Sequence, residues 1–179
     1  MSLRDTIKHR VSTHKFLYQD VDVNKVIELL EYAVYAPNHK MRQPWRFIIL
    51  QGERKNRFVE TYVSKLPAFK QEEQMKLVTK IMSAPMVVSF VMKRNPIFND
   101  EIEDIQAISA LIQNFLLLAT EEGLATFWKT PVYMSSDIFK EVLGVHTDEV
   151  ISGLVMVGYA DQLNEPKIRK TAHSLTTIW

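Results

Sequence analysis

The chain has 179 residues, 46% hydrophobic and 24% charged, with 22 Lys and Arg against 21 Asp and Glu for a net charge of +1. This is chain enough for one globular domain, residues 1–179, with no global field to draw in nucleic acid or an anionic membrane. The absence of cysteine excludes disulfides and thiolate chemistry and fits a reducing compartment. The opening Met1-Ser2-Leu3-Arg4-Asp5 has no signal-peptide apolar region, and no apolar run approaches the roughly 20 residues of a membrane span, so a soluble, cytoplasmic protein is expected.

Leu3, Ile7 and Val11 stand four apart and predict a short N-terminal helix lying on a core. Arg10-Val11-Ser12-Thr13-His14-Lys15-Phe16 follows in extended form, which would put Arg10, Ser12 and His14 on one side. Read alone, that side is either two cations and a hydroxyl facing a ligand or an exposed basic connector. Asp22 is an N-cap candidate before Val23, Val26, Ile27, Leu30, Ala33 and Val34 at helical spacing, and Pro37 stops that helix. Tyr35 lies near its end.

Between Pro37 and Pro44 the chain is polar and basic. Two prolines make the connection rigid, and Asn38, His39, Lys40, Arg42 and Gln43 all fall in it. Such a loop suits a planar, polar, anionic ligand or an ordinary solvated turn. Residues 46–50 read as a buried strand closed by Gly52. From Glu53 to Met82 the pattern is helical and amphipathic, broken around Pro67, with Phe58, Tyr62, Met75, Val78 and Met82 inward. Pro85 introduces a second strand, Met86 to Met92, apolar enough to be central in its sheet. Residues 93–101 read as a polar loop.

Ile102 to Glu122 is a helix apolar on most of its circumference, which must be packed on nearly all sides; a second subunit is one way to do it. It is charged at both ends, unlike a membrane span. Gly123 caps it and Leu124 to Trp128 continues extended. Ser135 or Ser136 caps a short helix carrying Ile138, Phe139, Val142 and Leu143, stopped by Gly144. Val150 to Tyr159 is the third clear strand, and after Ala160 a polar stretch runs to an apolar end at Ile178 and Trp179. The reading is a single α+β domain of three clear strands and several helices, without repeats or linkers.

Several chemistries lack their motifs. There is no Gly-x-Gly-x-x-Gly and no Walker loop, and with 5 Gly in all a phosphate would have to be held by side chains. The 5 His show no zinc-type spacing, so no metal site is expected. Ser12 and His14 make no triad. Glu101, Glu103 and Asp104 sit where a helix begins and acids favour its dipole.

Four segments in order resemble the flavin-dependent nitroreductase family, in its minimal short-chain branch. Arg10 to Phe16 is similar to that family's Arg-Arg-Ser-x-Arg-x-Phe, and Ala36-Pro37-Asn38-His39 through Gln43-Pro44-Trp45-Arg46-Phe47 to its Ala-Pro and Gln-Pro-Trp-x-Phe motif. Ala110 to Ala119 with Gly123-Leu124-Ala125-Thr126-Phe127-Trp128 is similar to its central helix and the Gly-Leu-x-x-x-Trp after it. Glu149 to Tyr159 matches its C-terminal strand. The resemblance implies a central mixed sheet flanked by helices, in an interlocked homodimer with FMN at the subunit interface. It implies an NAD(P)H-dependent oxidoreductase in which hydride passes through flavin N5 to a nitroaromatic, quinone or related acceptor, with no protein side chain as catalyst. The alternative is a protein that binds or consumes FMN without nicotinamide turnover.

The same resemblance implies the site residues. Arg10, Val11 and Ser12 stand where the family touches the FMN phosphate and ribityl, and His14 where it approaches the pyrimidine side of the ring. Tyr35 and His39 look like the residues that reach the flavin from the other subunit, Trp128-Lys129-Thr130 like the loop beside the ring, and Lys167 and Arg169 like a phosphate-binding basic pair. Val11 and His14 depart from the usual Arg or Lys.

Overall fold

A computed structural model describes residues 2–162 and 164–179. Ser2 and Asp5 cap helix α1 (Leu3–His9) reciprocally, each side chain accepting from the other's backbone N–H. The helix forms where its spacing predicts, but Leu3 and Ile7 are 68% and 54% exposed and Thr6 is its buried residue. Its apolar stripe therefore faces away from this chain's own core, contrary to expectation. Helix α2 (Val23–Ala33) starts at Asp22, whose side chain accepts from the Asn24 N–H, and buries Val26, Leu29, Leu30 and Ala33.

Strand β1 (Trp45–Gln51) leads through Gly52 into α3 (Glu53–Ser64), and Pro67 separates α3 from α4 (Ala68–Met82). Phe58, Tyr62, Val78 and Met82 are inward as expected, whereas Met75 lies on the solvent side. After β2 (Met86–Lys93), helix α5 (Phe98–Glu121) begins before the expected Ile102. Asn95 explains the early start. Its side-chain Oδ1 accepts from the Ile97 N–H at 3.1 Å, while Asp100 and Glu101 occupy the first turn, where acids are favoured. The left-handed Gly123 (φ 75) ends the helix. Strand β3 (Ala125–Lys129), a Ser136-capped α6 (Asp137–Leu143) and β4 (Glu149–Gly158) complete the ordered elements.

The leucine-to-tryptophan stretch after Gly123 thus supplies a fourth strand, and the sheet order is β1-β2-β4-β3. All three pairings are antiparallel. The expected mixed sheet is corrected accordingly: among the described residues, parallel pairing is confined to the single bridge of Ser12 to Thr126. Helices α2 and α5 cover one face through Leu30, Ile108, Leu111, Phe115, Phe90 and Val155. Helices α3, α4 and α6 cover the other through Phe58, Tyr62, Phe139, Val87, Leu154 and Met156.

Helix α5 is 24 residues long and apolar enough by length and composition to cross a membrane. Its packing accounts for that composition differently. One side buries Ile108, Leu111, Ile112 and Phe115 against α2 and the sheet, and near its start Asp104 is buried in an ion pair with Arg42. Ile102 and Ile105 on its remaining side are exposed in the single chain.

Candidate functional site

The open edge of β3 is where the N-terminal segment docks. The Thr13 N–H donates to the Thr126 carbonyl at 2.9 Å, and the Leu17 N–H to the Tyr159 carbonyl at 2.9 Å. Thr13 is buried while Ser12 and His14 are exposed, the alternation that an extended segment demands. Val11 and Arg10 are half-buried. The far end of the chain returns to the same place. Asn164 Nδ2 donates to the Ser12 carbonyl at 3.0 Å, and Arg169 Nη1 donates to the Lys167 carbonyl at 2.9 Å. Arg10's pKa is pushed down, first by burial and then by the positive charge of Arg169. Among the described residues neither guanidinium has an acid within ion-pair distance. Two basic side chains so placed, Arg10 half-buried and Arg169 exposed, suit an anionic ligand.

Beside this edge lies a cavity of about 250 Å³ lined by His14, Lys80, Ile81, Phe127, Lys129 and Met156. The His14 and Phe127 rings are 5.9 Å apart, and Lys129 Nζ stands 4.6 Å from the Phe127 centroid. An aromatic and thioether floor with three basic side chains and no acid suits a flat ligand with an electron-rich edge. Lys80 was not among the residues read from the sequence. It sits in the last turn of α4, where a lysine is ordinary dipole complementation, and only the fold brings it to His14 and Lys129.

Trp128 and Lys129 part company, as neighbours on a strand must. Lys129 lines the cavity, whereas Trp128 packs with the α2–α5 core on the opposite face. The indole lies against Gly153, so closely that a Cβ there would stand 2.0 Å from Trp128 Nε1. Trp128 Nε1 is buried without a hydrogen-bond partner, as is Thr126 Oγ1 two residues earlier on the same strand face. Thr130 is exposed at the end of β3.

Tyr35 and His39 stand elsewhere. Tyr35 is 85% exposed beyond the end of α2, and His39 Nε2 is 3.9 Å from Glu103 in the first part of α5. The N-terminal helix, by contrast, meets α5 near its C-terminal end: Leu3 and Thr6 share a cleft with Asn114, Leu117 and Glu121. At 1.5 Å rise per residue the stretch from Glu103 to Leu117 separates the two regions by roughly 20 Å. One chain therefore gathers Arg10, Ser12, His14, Lys129 and Arg169 at one end and displays His39 away from them, while Tyr35 follows the end of α2, whose Tyr32 lines the same cleft as Leu3 and Thr6.

The chain matches the model of the nitroreductase family over residues 7–159. YfhC of Bacillus subtilis, provisionally named an NAD(P)H nitroreductase, is 30% identical over 172 residues, spanning 93% of this chain and 89% of that protein. The crystal structure of a nitroreductase-like family protein from Bacillus cereus has a TM-score of 0.92 at 30% identity, over 100% of this chain and 96% of that one. The structure of NfnB from Sphigopyxis sp. strain HMH, described as an FMN and NADPH-dependent nitroreductase, has a TM-score of 0.80 at 17% identity, over 100% and 99% of the two chains.

Proposed function

Since the chain belongs to the nitroreductase family, we propose that it is an FMN-dependent NAD(P)H oxidoreductase acting on nitroaromatic, quinone or related acceptors from a homodimer. The observation that carries this reading is the pair Arg10 and Arg169, drawn together from the two ends of the chain with no acid to neutralise them. Their chemistry fits the FMN phosphate, with Lys167 two residues before Arg169 and Ser12 and Val11 following Arg10 for the ribityl chain. Held there, FMN would supply the redox chemistry, hydride passing through its N5 between nicotinamide and acceptor.

The chain's own residues bind and tune. His14, Lys80 and Lys129 bring donors and positive charge to one cavity, which favours the negative charge that two-electron reduction leaves on the ring. His14 stands where the family usually carries Arg or Lys, and Lys80 and Lys129 share its cavity. Trp128 supports the wall behind the strand and Thr130 its exit. The second chain contributes Tyr35, which is exposed, and His39, which its own chain holds at the start of α5. Leu3, Ile7, Tyr32, Ile102 and Ile105 are exposed, the outer edge of β1 has no strand beside it among the described residues, and the tail ends in exposed Ile178 and Trp179. That much uncovered apolar surface favours a dimer interface.

The test is anaerobic addition of NADH or NADPH to FMN-loaded protein. Bleaching of the flavin band within seconds to minutes is expected. Retention of the oxidised spectrum at millimolar nicotinamide would sink the reductase reading and support a protein that binds or consumes FMN without nicotinamide turnover.

A further inference from the structure

We infer that Arg42 is a positioning residue for the flavin site: by clamping the loop 38–43 to helix α5, it holds His39 where the partner chain's flavin needs it. The inference rests on the flavin site and shared dimer proposed above. It starts from backbone geometry. Lys40, Met41 and Gln43 have φ of 54°, 51° and 46°, three left-handed residues in a six-residue loop without a glycine. Each such residue costs conformational free energy, and together they persist only where surrounding contacts hold them.

Two sets of contacts do so. Within the loop, Asn38 Oδ1 accepts from the Gln43 N–H at 3.1 Å while Asn38 Nδ2 donates to the Ala36 carbonyl at 3.3 Å. From the loop to the body there is Arg42. Its Nε donates to Asp104 Oδ1 at 2.8 Å, and its Nη2 to Glu103 Oε2 at 3.1 Å and to the Asp100 carbonyl at 3.2 Å. Its Nη1 lies 3.5 Å from Asp100 Oδ2. One guanidinium thus grips three residues spaced i, i+3 and i+4, one face of α5. Its side chain is 18% exposed, and Asp104 is buried, with Oδ2 accepting from Asn95 Nδ2 at 3.3 Å.

A solvated turn would not require this. Of the residues gripped, Asp104 is buried and Asp100 and Glu103 half-buried, while His39, Lys40 and Met41 are exposed, with the His39 ring 3.9 Å from Glu103. A planar fork that fixes a loop against a rigid helix sets where the neighbouring histidine stands. Replacing it frees the left-handed stretch to relax, and His39 moves with it.

The experiment is a double-mutant cycle on FMN affinity, read by fluorescence titration of the apoprotein, with sedimentation reporting the dimer. Arg42→Gln is expected to weaken FMN binding roughly tenfold, and in a His39→Ala background less than about twofold, because Arg42 acts through His39. An equal loss in both backgrounds, or no loss from Arg42→Gln alone, overturns the inference while leaving the flavin site standing. Since removing Arg42 strands a buried carboxylate, the cycle is repeated with Arg42→Gln/Asp104→Asn, which removes the clamp without that burial penalty. The same non-additivity is expected from it, and additive losses there overturn the inference even if the single variant fails to fold. Wild-type apoprotein that takes up no FMN would overturn both this inference and the function on which it rests.

Discussion

Arg10 follows the last turn of α1, and its N–H donates to the Thr6 carbonyl at 2.9 Å, so the helix end itself aims the residue. Its side chain is half-buried near Arg169, an arrangement that raises the free energy of the unliganded protein and lowers it once an anion arrives. A phosphate contact is made equally before and after reduction of a flavin, so Arg10→Ala should weaken FMN retention without changing chemistry in the sites still loaded. Loss of a charged hydrogen bond costs about 1.5–3 kcal/mol, roughly tenfold or more in affinity. Stoichiometric flavin surviving dialysis of the purified variant would remove Arg10 from the phosphate site.

Among the elements, β3 and β4 do the most to shape the site. The pairing of β2 with β4 slips between Phe90 and Val91, where the partners jump from Gly153 to Ile151. On its other side β4 sets Val155 opposite Trp128, so Gly153, two residues along on the same face, lies under the Trp128 indole. With the nearest indole atoms 2.0, 2.7 and 3.1 Å from an added Cβ, Gly153→Ala must push the ring off its seat. Overpacking of this kind costs about 1–3 kcal/mol, and at this chain length each kcal/mol lowers the melting temperature by roughly 2–4 °C. The double variant with Trp128→Phe, whose ring is smaller, should recover part of that loss. A melting temperature unchanged in Gly153→Ala would mean the strand moves aside and the indole is not seated by the glycine. Helix α5 shows the opposite case, in which the element itself is rigid and its surroundings vary from an ion-paired start to a core-packed middle.

For the whole molecule, the proposed site draws on residues that one chain keeps apart, with His39 at the start of α5 and Arg10 beyond α1, which meets α5 near its other end. α1, α2, α5 and the tail all carry exposed apolar residues, and in the proposed dimer an obligate interface of roughly 2,000–5,000 Å² would cover them. A twofold axis would bring Arg10 and Ser12 of one chain and His39 of the other to the same flavin, and make two such sites. Sedimentation at nanomolar concentration should show a dimer that carries FMN. A stable, flavin-loaded monomer would sink both the interface and the shared site.

Local chemistry was legible in the residues themselves. Asp22 and Ser136 as caps, Gly123 and Gly144 as left-handed stops, Pro37 and Pro67 as breaks, and the apolar runs of β2 and β4 all carry their meaning in side-chain type and spacing, because caps, turns and strand burial are short-range effects. Ordered motifs carried the family as well. Spacing cannot say which neighbour an apolar stripe faces, so Leu3 and Ile7 read as core though they face outward, and Met75 likewise. Nor can it say which distant residues share a space. Lys80 joining His14 and Lys129, Arg169 returning to Arg10, Trp128 turning from the cavity to the opposite face, and Arg42 reaching Asp104 are decided by sheet order and helix placement, because each contact spans chain segments whose separation only the packed fold removes.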